Sequence, residues 1–127
     1  MITDKLRGND EKTKNGDDYA ARMYVISKNN WLFWNTKAIC YVWSNSKGEN
    51  INWPNPYAPN NVKMMSVSSS LDKINTWYSI RRNVHEDFRS LYGESINSIT
   101  EVAIMTDTDN THQKTTAFYK DISFSEK

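Results

Sequence analysis

Apolar residues fall along most of this chain in short runs bounded by turn signals, which favours β-strands over helices. In residues 19–27 both alternate sets, Tyr19/Ala21/Met23/Val25 and Ala20/Arg22/Tyr24/Ile26, are largely apolar. That pattern suits a strand covered on both faces. Arg22 is the exception, and it needs an acidic partner or a path to solvent. Similar runs predict strands over residues 36–44, 62–68, 76–82, 99–105 and 115–124. The period changes only once. Val84, Phe88, Leu91 and Tyr92 fall at i, i+4, i+7 and i+8, one face of a helix over 83–92. Asn83 suits its N-cap, Glu86 completes a capping-box pattern, and Gly93 suits its C′ position. Residues 28–35 read as a loop or strand extension, and residues 69–75 as a connection. Residues 45–61 hold all three prolines and read as a long structured loop. Residues 1–18 carry few apolar side chains and read as a mobile arm ahead of a domain over 19–127. Short strands, turn signals and one short helix together predict an all-β sandwich.

Composition narrows the function classes. At 127 residues the chain makes one domain with a modest core. A net charge of +1 supplies no field to draw nucleic acid or anionic lipid. Arg81, Arg82 and Arg89 form the only local basic cluster and lack interleaved aromatic residues, so no nucleic-acid partner is expected. No apolar run is long enough to span a membrane. No signal-peptide core precedes the domain, so the chain as written reads as cytoplasmic. Cys40, the single cysteine, lies between Ile39 and Tyr41 and reads as a buried, inert thiol.

Catalytic patterns are weak. Glu86 and Asp87 are adjacent carboxylates, but a helix start already accounts for them. His85 and His112 are isolated and are expected at the surface. No Ser-His-Asp spacing, phosphate-binding glycine loop or HExxH motif is present, so no catalytic residue is assigned.

Two constellations remain. In residues 104–111, Asp107 and Asp109 alternate, so an extended backbone points both carboxylates the same way. With neighbouring hydroxyl and amide oxygens they offer hard ligands for calcium. The competing reading makes them turn formers, with Asp107 or Asp109 paired to Arg82 or Arg22. The second constellation is aromatic. Aromatic residues are 13% of the chain, with five Trp and seven Tyr. Trp34, Trp53 and Tyr57, with Asn55, are of the types that stack on sugar faces and bond sugar hydroxyls. Trp43, inside a strand, is expected in the core.

The segments Gly16-Asp17-Asp18-Tyr19-Ala20-Ala21-Arg22, Lys37-Ala38-Ile39, Asn55-Pro56-Tyr57, Arg82-Asn83-Val84 with Glu86-Asp87-Phe88, and the stretch MTDTDNT at 105–111 carry a resemblance. They resemble an uncharacterised bacterial domain-of-unknown-function family, number 3047. The resemblance implies a jelly-roll β-sandwich similar to galactose-binding-like modules, and implies no activity. It also implies further strands ahead of residue 16 and an export signal, neither of which is expected from residues 1–15 as written. A chain short of those strands would be a truncated member, periplasmic or secreted in its full form, with an open edge that favours self-association. His112 and Gln113 stand where the family commonly has glycine. The expectation is therefore a non-catalytic binding module, directed at carbohydrate. The alternative is a structural domain of a cell-envelope assembly without a small-molecule ligand.

Overall fold

A computed structural model describes residues 1–6, 10–28, 36–44, 48, 50–68, 72–108 and 112–126. The chain is mostly β, with one mixed five-stranded sheet and one short helix. In chain order the strands are β1 (Tyr19–Lys28), β2 (Thr36–Val42), β3 (Asn52–Pro54), β4 (Val62–Ser66) and β5 (Glu101–Asp107), with α1 (Val84–Tyr92) between β4 and β5. The sheet order is β3-β4-β2-β1-β5. β1 is antiparallel to both β2 and β5, while β2 and β4 run parallel. β1 is thus an interior strand, with a hydrogen-bonded neighbour on each side.

Register sorts the side chains onto two faces. Tyr24, Cys40, Met64 and Trp53 stand in one row across four strands. Tyr19, Cys40, Val42, Trp53 and Met64 form a buried cluster there. On the opposite face Val25, Ile39, Tyr41 and Met65 pack against Phe88 of α1. The helix forms as its sequence dictates. The Asn83 side chain accepts from the Glu86 amide at 3.1 Å. Gly93 takes φ 71°, a left-handed position that glycine adopts without strain, and its amide donates to Arg89. Asp87 then ties the helix to the sheet. Both its oxygens accept from Arg82, and the Tyr41 hydroxyl donates to it at 2.6 Å. The ordinary capping role read for Asp87 is therefore joined by a buried one.

Several expectations change. Residues 76–82 form no strand, and Trp77, Tyr78 and Ile80 are exposed. Segment 115–124, expected as a strand, forms none: β5 pairs with β1, and Ala117 makes only an isolated bridge to Ile2. A physical reason lies at Asp121, whose φ of 53° breaks an extended backbone. Conversely, the proline-rich loop contributes β3, at the sheet edge where Pro54 need not donate outward. The segment read as an arm is packed, with Ile2, Leu6 and Glu11 all buried. Among the described residues the strands make one sheet, with α1 on one face.

Candidate functional site

Three regions bear on function. The first is a charged cluster at the start of β1. The β1–β5 ladder shifts register between Tyr19 and Arg22. Such a bulge re-aims side chains. Just upstream, Gly16 lies so close to the Asp10 backbone that a Cβ would fall 2.1 Å from the Asp10 carbonyl oxygen. Only glycine lets the chain pass there, and this passage brings Asp17 back over Arg22. Arg22 is buried at 3% exposure. Its guanidinium donates to the Asp107 carboxylate, to the Asp17 carbonyl at 2.9 Å and to the Tyr24 hydroxyl at 3.0 Å. The Asp17 carboxylate lies 3.7 Å away. The Tyr19 ring stacks under the guanidinium, 4.8 Å from its centroid. Asp107 also accepts from the Tyr19 amide at 3.3 Å. Arg22 thus finds the acidic partner its position required, and that partner is Asp107.

Tyr119 completes the cluster. Its hydroxyl accepts from the Arg22 amide at 3.0 Å and donates to the Met105 carbonyl at 3.1 Å. It thus bridges β1 and β5 beside the register shift.

Electrostatics follow from burial. Desolvation pulls the Arg22 guanidinium down, but the Asp107 hydrogen bond and neighbouring negative groups outweigh it and hold the charge more firmly. Burial pushes Asp17 up to about 6, against the attraction of Arg22, with the Asp107 and Asp18 charges adding to the rise. Burial likewise pushes the Cys40 thiol up to about 12. Cys40 is therefore a protonated core group at neutral pH, as its sequence context implied. Among the described residues, Asp17 Oδ1 and Arg22 Nε find no hydrogen-bond partner. Chemically the cluster fixes one positive charge and offers one carboxyl, Asp17, that takes up a proton at about pH 6. The sequence offered the arginine in an apolar strand and Asp107 among its candidate partners; nothing in it singled out Asp17 as a further member of the cluster.

The second region holds the aromatic candidates, which the fold does not gather into one surface. Trp53 is buried at 3% exposure, with its ring 6.5 Å from that of Tyr19. Asn55 is buried, and its oxygen accepts from the amides of Tyr57 and Ala58 at 2.8 and 3.1 Å. It therefore closes a turn on its own backbone. Tyr57 is 55% exposed; its hydroxyl donates to the Lys14 carbonyl, and the Lys14 ammonium lies over its ring. Trp34 and Asp109 lie outside the described residues. Asp107, the other metal candidate, bonds Arg22. Among the described residues no group of three or more His, Cys, Asp and Glu side chains gathers to hold a metal ion. Trp43 is in the core as expected, edge-on to Tyr78. His85 and His112 are exposed.

The third region is β5, which the sequence reading did not single out; the open edge expected there was one left by strands missing ahead of residue 16. β5 is exposed along nearly its whole length. Ile104 and Val102 share the α1 face with Met23 and Val25, yet α1 does not reach them. Met105 points to the other face, and all three apolar side chains are 41–50% exposed. No described helix is long and apolar enough to cross a membrane, so this apolar surface does not belong to a spanning helix.

No curated protein and no solved structure matches the chain. A family model for a protein of unknown function matches residues 1–123. Glycine-aspartate turn, buried arginine and β5 carboxylate all fall within that span, and the chain belongs to this family, DUF3047.

Proposed function

We propose that the chain is a non-catalytic module that works by docking polypeptide, as a structural part of an assembly. The observation that carries this is β5. It is an edge strand with apolar side chains on both faces, and they are exposed. Exposed apolar strands at a sheet edge are sites for another chain to pair, and soluble proteins rarely leave them bare. The carbohydrate reading draws on less. Trp53 packs in the core and Asn55 holds a turn, so of the described aromatic-loop candidates only Tyr57 is exposed, and the Lys14 ammonium already lies over its ring. A catalytic reading has no support from Cys40 or the histidines, for the reasons given above. The jelly-roll, galactose-binding-like architecture belongs to this proposal too. An experimental structure with a second sheet facing the first would support it, and an isolated sheet would remove it.

The test pairs two titrations on dilute protein. The dye 1-anilinonaphthalene-8-sulfonate should bind, and the V102K/I104K double variant should lose that signal while keeping its melting temperature. Common polysaccharides should leave tryptophan fluorescence flat. Saturable polysaccharide binding abolished by Tyr57→Ala, with dye binding indifferent to V102K/I104K, would overturn the docking reading in favour of a sugar site.

A further inference from the structure

The occupant of the β5 edge can be named from register and charge, given the docking reading above. Arg22 faces Met105 across the β1–β5 ladder, and the Tyr119 hydroxyl bridges the amide of one to the carbonyl of the other. The backbone groups of Met105 therefore turn toward β1. Ladder alternation then turns the amides and carbonyls of Val102 and Ile104 away from β1, to the open edge. We infer that this edge pairs with β5 of a second copy of the chain, antiparallel and two-fold symmetric about Ala103.

Three features of the strand favour this arrangement. First, Val102 falls opposite Ile104 of the second copy, and Ile104 opposite Val102. All four outward-turned backbone sets are then satisfied, and four branched apolar side chains meet on one face. Second, Ala103 meets itself at the centre, in a pair without mutual hydrogen bonds. Strands approach to about 4.5 Å between Cα atoms there, and a methyl group fits. Third, the charges avoid one another. Glu101 lies opposite Met105, and Asp107 opposite Ile99. Centring the pair on Ile104 instead would set Glu101 against Asp107, two like charges directly opposed. Each carboxylate is also neutralised within its own chain, Glu101 by Lys28 and Asp107 by Arg22. A symmetric pair of this kind is isologous and closed, so it ends at two copies. Strand pairing over so short an edge buries less than a standard interface. The dimer is therefore expected to be weak, with a dissociation constant of about a micromolar or higher.

Sedimentation velocity over a wide concentration range tests the assembly, and cysteine cross-linking tests its register. Wild-type mass should rise toward twice the monomer as concentration increases. I104K should remain monomeric throughout with an unchanged melting temperature. Ala103→Cys should form a covalent dimer on mild oxidation, because the two Cα atoms lie within disulfide reach. Ile104→Cys should cross-link several-fold more slowly. Buried Cys40 stays in place in both variants. A wild-type chain that is monomeric at every concentration, with Ala103→Cys uncross-linked, overturns the inference. So does a covalent dimer from Ile104→Cys but not from Ala103→Cys. A monomer that still binds the dye through Val102 and Ile104 overturns the second copy alone and leaves the docking reading standing. A monomer without dye binding overturns both.

Discussion

Replacing Asp107 with asparagine separates the charge of the Arg22 cluster from its shape. The amide keeps the size of the side chain and an oxygen to accept from Arg22 and Tyr19. It removes the negative charge bonded to a guanidinium that is almost wholly buried. Removing one partner of a buried ion pair costs about 3–5 kcal/mol, because the other charge stays desolvated. In D107N the new amide oxygen would still accept, and Asp17 remains 3.7 Å from the guanidinium. The cost therefore falls at or just below that range, roughly 2–3 kcal/mol, which lowers the melting temperature by about 10 °C for a domain of this size. Asp17 gives a second readout. Its raised pKa of about 6 means the folded state favours the protonated acid. That contribution is fully present below the ordinary value of 3.8 and is lost as pH rises through about 6. At about 1.4 kcal/mol per unit, the window carries on the order of 3 kcal/mol. Asp107 is one cause of the rise, so the asparagine variant should titrate Asp17 at lower pH and narrow the window. Urea unfolding followed by tryptophan fluorescence gives the stability, and carboxyl NMR titration gives the Asp17 midpoint. A variant within about 0.5 kcal/mol of wild type, with an unmoved Asp17 midpoint, would refute the buried pair.

Other consequences can be checked with simpler measurements. Tyr119→Phe removes the hydroxyl that bridges the Arg22 amide and the Met105 carbonyl, and should cost about 1–3 kcal/mol in urea unfolding; a variant as stable as wild type would place that hydroxyl elsewhere. Cys40 should react with an aromatic disulfide reagent only as fast as the chain unfolds, since its thiol is buried and pushed up to about 12; rapid labelling of native protein at mildly alkaline pH would contradict that burial. Calcium and chelator should leave the melting temperature unchanged, because the Asp107 carboxylate is already bonded to Arg22. A rise in melting temperature with calcium, lost in D107N, would return Asp107 to the metal reading.

Local signals in the sequence translated well into local structure. The spacing of Val84, Phe88, Leu91 and Tyr92, between a capping Asn83 and Gly93, fixes α1 because every bond involved lies within one short segment. The doubly apolar run at 19–27 likewise identifies β1 as a central strand. Segments 76–82 and 115–124 carry the same residue types and form no strand. A strand is completed by a neighbour, and periodicity says nothing about whether one is available. Trp77, Ile80, Phe118, Ile122 and Phe124 consequently stay half exposed. β3 was hidden for the opposite reason: Pro54 argues against a strand in general, yet an edge position removes the objection.

The charged cluster shows where such reading stops. Arg22 announces that a counter-charge must exist, and Asp107 is among the candidates the chain offers. What the sequence does not carry is the desolvation. Asp17 is 5% exposed only because Gly16 lets the chain pass against Asp10, and because Tyr19 turns its ring beneath Arg22. A carboxylate in a polar, glycine-containing turn would ordinarily sit in water and titrate at about 4. Its displacement to about 6 arises from burial and from contacts among Asp17, Arg22 and Asp107, the last of them far along the chain from the other two. Among the described residues no strand pairs with the outer side of β5. Arg22 and Tyr119 tie the inner edge of β5 to β1. A preorganised edge loses little conformational entropy when another strand pairs with it. Weakening the cluster should therefore weaken pairing as well as stability, and D107N should raise the concentration at which the second copy associates even though it removes no atom from the outer edge.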